Sequence, residues 1–240
     1  MNRKKTLPAL FLLFTCLAVS ACSAPAIIKK KPINAEARKI AYAYGIRNFD
    51  RVTAIRYTFN VFIGDKHLQR KWIWEPEKDM VTYKGNPEEK TGDIVYERKG
   101  NRDFDKKIDS WFINDRYWLL FPFHLIWDNA EIISEDEYPL PILSGYGKRL
   151  TVKYPQGNAN APGDIYEIYY GPDFLLQQWV YRKGGADNPT RITTWEEHAK
   201  VGPIRIALSH KNADGSFRLW FSDVAVRLKG GTNWLPALIY

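Results

Sequence analysis

The chain has 240 residues, with 35 Lys and Arg against 27 Asp and Glu for a net charge of +8, two cysteines and nine tryptophans. That length is ample for a sizeable core without cross-links, and two cysteines are too few for a disulfide scaffold. Four dispersed histidines, His67, His124, His198 and His210, have no metal-ligand spacing, so neither a metal nor another cofactor is expected.

Arg3, Lys4 and Lys5 precede a 13-residue apolar run, Leu7–Val19. A membrane span needs roughly 20 residues, so the run reads as the core of a signal peptide. It ends in Val19-Ser20-Ala21-Cys22, which resembles the lipobox of bacterial lipoproteins. That resemblance implies a signal peptide over residues 1–21 and a lipid on Cys22. The other cysteine, Cys16, lies inside the segment to be removed, which leaves no disulfide in the mature chain. Removal leaves 219 residues with a net charge of +5. By resemblance to the enterobacterial sorting rule, Ser23 in place of Asp favours the outer membrane, with the protein facing the periplasm. A lipid anchor also makes nucleic acid a poor partner.

Residues 22–33 read as a lipidated tether, in which Lys29-Lys30-Lys31 either lie against anionic headgroups or form a solvated linker. Residues 34–240 read as a single domain. Asn34 suits a helix N-cap, Ala35–Tyr44 a short helix and Gly45 its left-handed stop. From Val52 the period becomes two, with Ile55, Tyr57, Phe59 and Val61 alternating with Arg56, Thr58 and Asn60. Leu68–Glu75, Met80–Lys84 and Ile94–Arg98 continue this as an antiparallel meander.

Asn101–Asp128 interrupts the strands. Asp103 is a candidate cap, and Phe104, Ile108, Trp111, Phe112, Asp115 and Leu119 recur at helical spacing, with Asp115 alone breaking an apolar stripe. Pro122 disfavours helix at Phe121, which predicts a helix ending or bending there and an extended apolar tail over Phe123–Trp127.

Strands return at Arg149–Tyr154, Ile165–Tyr170, Phe174–Arg182, Arg191–Trp195, Ile204–His210 and Phe217–Leu228, and Asn212–Gly215 marks a hairpin. In the last strand Phe217, Leu219 and Phe221 are odd whereas Val224, Val226 and Leu228 are even, which predicts a bulge near Ser222-Asp223.

The order of these elements carries a resemblance. The lipobox, the short helix, Val52-Thr53-Ala54-Ile55-Arg56-Tyr57-Thr58-Phe59 and its meander make the first part. Tyr117-Trp118-Leu119-Leu120-Phe121-Pro122-Phe123 and a closing hairpin ending Phe221-Ser222-Asp223-Val224 complete it. The chain resembles the Lol-type (LolA/LolB-like) lipoprotein carrier and acceptor superfamily of the bacterial envelope. The resemblance implies a mainly β, α+β fold: an open, curved antiparallel half-barrel of about ten strands, covered on its concave side by helices. It also implies an apolar cavity that accepts acyl chains.

Catalytic signatures are absent. Trp195-Glu196-Glu197-His198 places only Glu196 and His198 on one strand face and reads as a solvated strand end or turn. Glu135-Asp136-Glu137 lacks calcium-loop spacing and reads as a charged loop, and Ser144-Gly145-Tyr146-Gly147 is no nucleophile elbow. A non-enzyme is the expectation. The positive signal is the aromatic surplus on strands, which bear large apolar groups on both faces. Ligand-binding candidates are Tyr57, Phe59, Trp72, Trp74, Trp111, Trp118, Phe121, Trp179 and Trp220. They serve either a cavity for an acyl chain or other apolar molecule, in lipid or lipoprotein handling, or an aromatic face that docks another envelope protein.

Overall fold

The computed structural model describes residues 32–85, 92–99 and 104–239. The predicted signal peptide, Cys22 and most of the predicted tether lie outside the described residues, and Pro32–Tyr240 is one compact unit. Helix α1 spans Ala35–Ala43, and the Asn34 side chain accepts the N–H groups of Glu36 and Ala37 to start it. Gly45 ends it at φ 91°, where a Cβ would strike the Pro203 carbonyl oxygen. Glycine is therefore required twice over, by conformation and by space.

The meander follows as β1 (Val52–Ile63), β2 (Lys66–Glu75), β3 (Met80–Lys84) and β4 (Ile94–Glu97). Helix α2 spans Lys106–Trp127. Then come β5 (Glu131–Pro139), β6 (Tyr146–Lys153), β7 (Ile165–Tyr170), β8 (Leu176–Arg182) and β9 (Arg191–Thr194). The last four are β10 (Glu196–Val201), β11 (Ile204–Lys211), β12 (Arg218–Leu228) and β13 (Trp234–Pro236).

Pairing is antiparallel throughout. One sheet runs β10-β11-β12-β1-β2-β3-β4, with β13 beside β12, and the other runs β5-β6-β7-β8-β9. The chain passes between sheets at Trp195, whose N–H bonds the Gln177 carbonyl at 2.7 Å. Among the described residues the edge strands β4 and β5 do not pair with each other, so the half-barrel stays open. Thirteen strands are described against about ten expected. The additions are β5, β10 and the three-residue β13.

The predicted bulge is present. Between Arg56↔Ala225 and Thr58↔Ser222 the register slips by one, and Asp223 adopts φ 53°. Leu219 and Phe221 before it and Val224 and Val226 after it are all buried. One inserted residue thus rotates the second half of the strand so that both phases meet the core.

The sequence-based reading of α2 needs correction at both ends. Asp105, not Asp103, is the cap, accepting the N–H groups of Lys107 and Ile108; Asp103 lies outside the described residues. At the other end the expected bend near Pro122 is present, but the expected extended tail over Phe123–Trp127 is not. Leu120 absorbs the proline as a kink (φ −123°, ψ 20°), and helix resumes through Phe123–Trp127. Proline costs one backbone hydrogen bond, but every residue from Asp115 to Leu125 is buried. Tertiary burial overrides the local preference.

The helix packs between the sheets. Phe112 meets Trp72 and Trp74 on β2, while Phe121 meets Tyr166 on β7 and Trp179 on β8. Asp115, the break in the stripe, is fully buried on the β2 side and accepts from Arg70 Nε at 2.7 Å, Arg70 Nη2 at 2.6 Å and Trp72 Nε1 at 2.9 Å. Among the described residues no helix is long and apolar enough to cross a membrane.

Candidate functional site

The two sheets and α2 do not close completely. Between them lies a cleft of about 450 Å³. Phe59 and Val61 on β1 and Leu219 on β12 form one wall, and Tyr166, Trp179 and Tyr181 on β7 and β8 form the other. Ile113, Tyr117 and Trp118 supply the α2 side. Alternation places these side chains: residues two apart on a strand share a face, so Phe59 and Val61, or Trp179 and Tyr181, point the same way. The Trp118 and Trp179 rings lie 4.4 Å apart, and Tyr166 and Tyr181 stack at 4.8 Å.

Three charged residues face the cleft, and two are engaged. Arg70 is held by Asp115 and lies over the Phe59 ring at 4.6 Å. Asp164 accepts the Gly184 N–H at 2.7 Å, the Tyr181 hydroxyl at 3.1 Å and the Tyr166 hydroxyl at 3.5 Å. Burial foremost, then the neighbouring Asp164 charge, pushes both tyrosines up, so they act as neutral donors. Arg191 has its guanidinium 4.1 Å from the Phe217 ring centre and no carboxylate partner among the described residues. Ser110, Asn114, Asn160 and Thr190 complete the polar part of the lining. Its chemistry is that of an apolar slot with a polar rim.

Of the sequence candidates, Phe59, Trp118 and Trp179 line the cleft. Tyr57, Trp72, Trp74 and Phe121 belong instead to the packed core, at 5% exposure or less. Trp111 packs beside Tyr83 and the Arg70 guanidinium, outside the lining. Trp220 is on the outer face, stacked on His67 at 5.1 Å and near Phe62 at 5.3 Å, because its neighbours Leu219 and Phe221 take the inner one. Sequence reasoning missed Tyr166, Tyr181, Ile113, Asp164, Phe217 and Arg191. The tyrosines were legible as alternating strand residues, but Arg191 had no local signal.

The acidic and histidine clusters do not converge. Glu196 pairs with Lys211 at 3.0 Å, Glu197 turns away at φ 56°, and His198 bonds the Tyr44 hydroxyl at 2.7 Å. Burial first, then Arg205, lowers His198 to about 4. Contrary to the loop reading, Glu135, Asp136 and Glu137 lie in β5, where Glu135 binds Arg149 at 2.8 Å and Asp136 faces Lys148 at 3.4 Å. Cross-strand pairing with β6 provides the partners that turn a charged segment into a strand. Among the described residues no group of His, Cys, Asp or Glu is arranged to hold a metal.

No protein-family model and no curated protein matches the sequence. Solved structures do resemble it. A DUF1329 family protein from Desulfovibrio piger aligns over 84% of this chain and 95% of its own at 11% identity, with a TM-score of 0.46. A LolA superfamily protein from Nitrosomonas europaea aligns over 80% of this chain and 93% of its own at 8% identity, with a TM-score of 0.50. The open antiparallel half-barrel around α2 is thus a LolA-like fold.

Proposed function

We propose that this protein is a lipid-anchored, non-enzymatic envelope lipoprotein that holds an acyl chain or comparable apolar molecule between its sheets and α2, in lipid or lipoprotein handling. The observation that carries this reading is the aromatic-walled cleft, whose volume falls within the range of about 300–1,000 Å³ typical of ligand sites. The anchor rests on Arg3–Lys5, the Leu7–Val19 run and Val19-Ser20-Ala21-Cys22, and the outer membrane on Ser23.

Native mass spectrometry of the membrane-extracted protein tests the cleft, with displacement of a lipophilic dye as a second measurement. The expected result is a co-purifying apolar mass and a dye site that Ile113→Trp fills without unfolding the protein. A folded protein that binds neither lipid nor dye overturns the reading. Metabolic labelling with a fatty acid, lost in Cys22→Ser, tests the anchor.

A second reading is favoured by the outer stack of Phe62, His67 and Trp220, with Phe62 37% exposed. Such a face suits docking of another envelope protein. Cross-linking in membranes that is lost in Trp220→Ala while dye binding persists would support it.

A further inference from the structure

The cleft is apolar inside, but its rim is not neutral. Of the three charged residues that line it, Arg70 is compensated by two hydrogen bonds to Asp115, and Asp164 has its charge spread over one amide and two hydroxyls. Arg191, at the start of β9, has neither an ion-pair partner nor a hydrogen-bond acceptor for its side chain among the described residues. Phe217 covers one face of its guanidinium at 4.1 Å, which orients the plane and leaves the N–H edges for an acceptor.

We propose that the cleft takes a single-chain amphiphile with an anionic head, and that Arg191 reads that head. The inference rests on the cleft reading above and adds the class of ligand to it. A half-buried, uncompensated guanidinium beside an apolar slot repels a cationic head and gains only the weaker, neutral hydrogen bonds from an uncharged one. A carboxylate or phosphate offers it charge-assisted, bidentate hydrogen bonds, the geometry to which the planar fork is suited. The tail then lies along Trp118, Trp179 and Phe59, where no unpaired charge opposes it.

The test measures dye displacement from the full chain by amphiphiles that share one 16-carbon tail, each below its micelle concentration. Palmitate and palmitoyl lysophosphatidylglycerol carry the two kinds of anion. Monopalmitoylglycerol is neutral and hexadecyltrimethylammonium cationic. The expected result is that at least one anion binds about tenfold or more tighter than the neutral and cationic molecules. Whichever anion shows the preference identifies the head as carboxylate or phosphodiester. Arg191→Gln brings that anion to parity with monopalmitoylglycerol, whose own affinity stays unchanged, while Arg191→Lys keeps part of the preference. Equal binding of all four by the wild type, or a preference that survives in Arg191→Gln, overturns the assignment of Arg191 and leaves the cleft reading standing. Binding of none by a folded protein overturns the cleft reading itself, and this one with it.

Discussion

Asp115 shows how a residue that spoils a sequence pattern can hold a structure together. It sits in the apolar stripe of α2, fully buried, and ties the helix to β2 through Arg70 and Trp72. Burial foremost raises its pKa, and the bonds from Arg70, Asn114 and Trp72 only partly offset that. The carboxylate therefore matters more as an acceptor than as a charge. Asp115→Ala should cost about 3 kcal/mol, the scale for breaking a buried pair, softened because the Arg70 side chain keeps 15% exposure. Asp115→Asn retains an acceptor for Trp72 and should cost less than half as much. Urea unfolding of the two variants checks the order; equal costs would contradict it.

The histidines set the acid limit. Burial first lowers His198 to about 4 and His210 to about 3 from 6.5, and lowers His124 as well. A base with a depressed folded pKa is neutral in the native state while the unfolded chain takes up a proton. The associated stability is therefore fully present above pH 6.5 and is lost as pH falls toward 4 and 3. Asp128 acts in the same direction at lower pH. Burial raises it, but the bonds from His124, Tyr117 and Tyr154 outweigh burial and hold it below the usual range. Asp115, with its raised pKa, runs the opposite way. Unfolding free energy should drop by a few kcal/mol between pH 7 and 4, with a smaller drop in His198→Gln. A flat profile over that window would refute this.

At the scale of elements, two irregularities shape the concave surface. The kink at Leu120 falls between Phe112, packed on β2, and Phe121, packed on β7 and β8, two rings whose spacing along α2 already sends them to opposite sides of the helix. The bulge at Asp223 re-phases β12. Its left-handed backbone (φ 53°) and the bond from the Thr58 hydroxyl at 3.0 Å suit aspartate. Asp223→Val should destabilise by about 2 kcal/mol, because a β-branched residue resists that conformation, and Asp223→Gly by less. Thermal melts of the pair decide the matter, and an equal loss in both would assign the effect to the hydroxyl bond instead.

Over the whole molecule, no cysteine lies within residues 32–240, so the compact unit is held by packing and hydrogen bonds. Such a fold responds to a cleft ligand through mass action alone. An amphiphile at 100 times its dissociation constant should stabilise the native state by about 2.7 kcal/mol. The melting temperature should rise with ligand concentration in the wild type and stay constant in Ile113→Trp. A rise in both would place the ligand elsewhere.

Much of this architecture was legible in the order of residues. Period-two alternation in Ile55–Val61, the Asn34 cap, the Gly45 stop and the switch of phase at Asp223 are local facts of covalent geometry. They identify elements and faces without knowledge of neighbours. Whether Phe59 borders a cleft while Tyr57, two residues earlier on the same face, is sealed in the core depends on what lies opposite. The same holds for the helix that runs past Pro122, for the acidic segment that becomes β5 beside Arg149 and Lys148, and for Arg191, distant in sequence from Trp118 but lining the same cleft. The sequence by itself determined most of the strands and the existence of both helices, because backbone period and capping act over a few residues, while the half-barrel class was implied by the Lol-type resemblance. Only the tertiary structure decided which aromatic groups pack solidly and which leave a slot, because burial and charge compensation come from residues far apart in the chain.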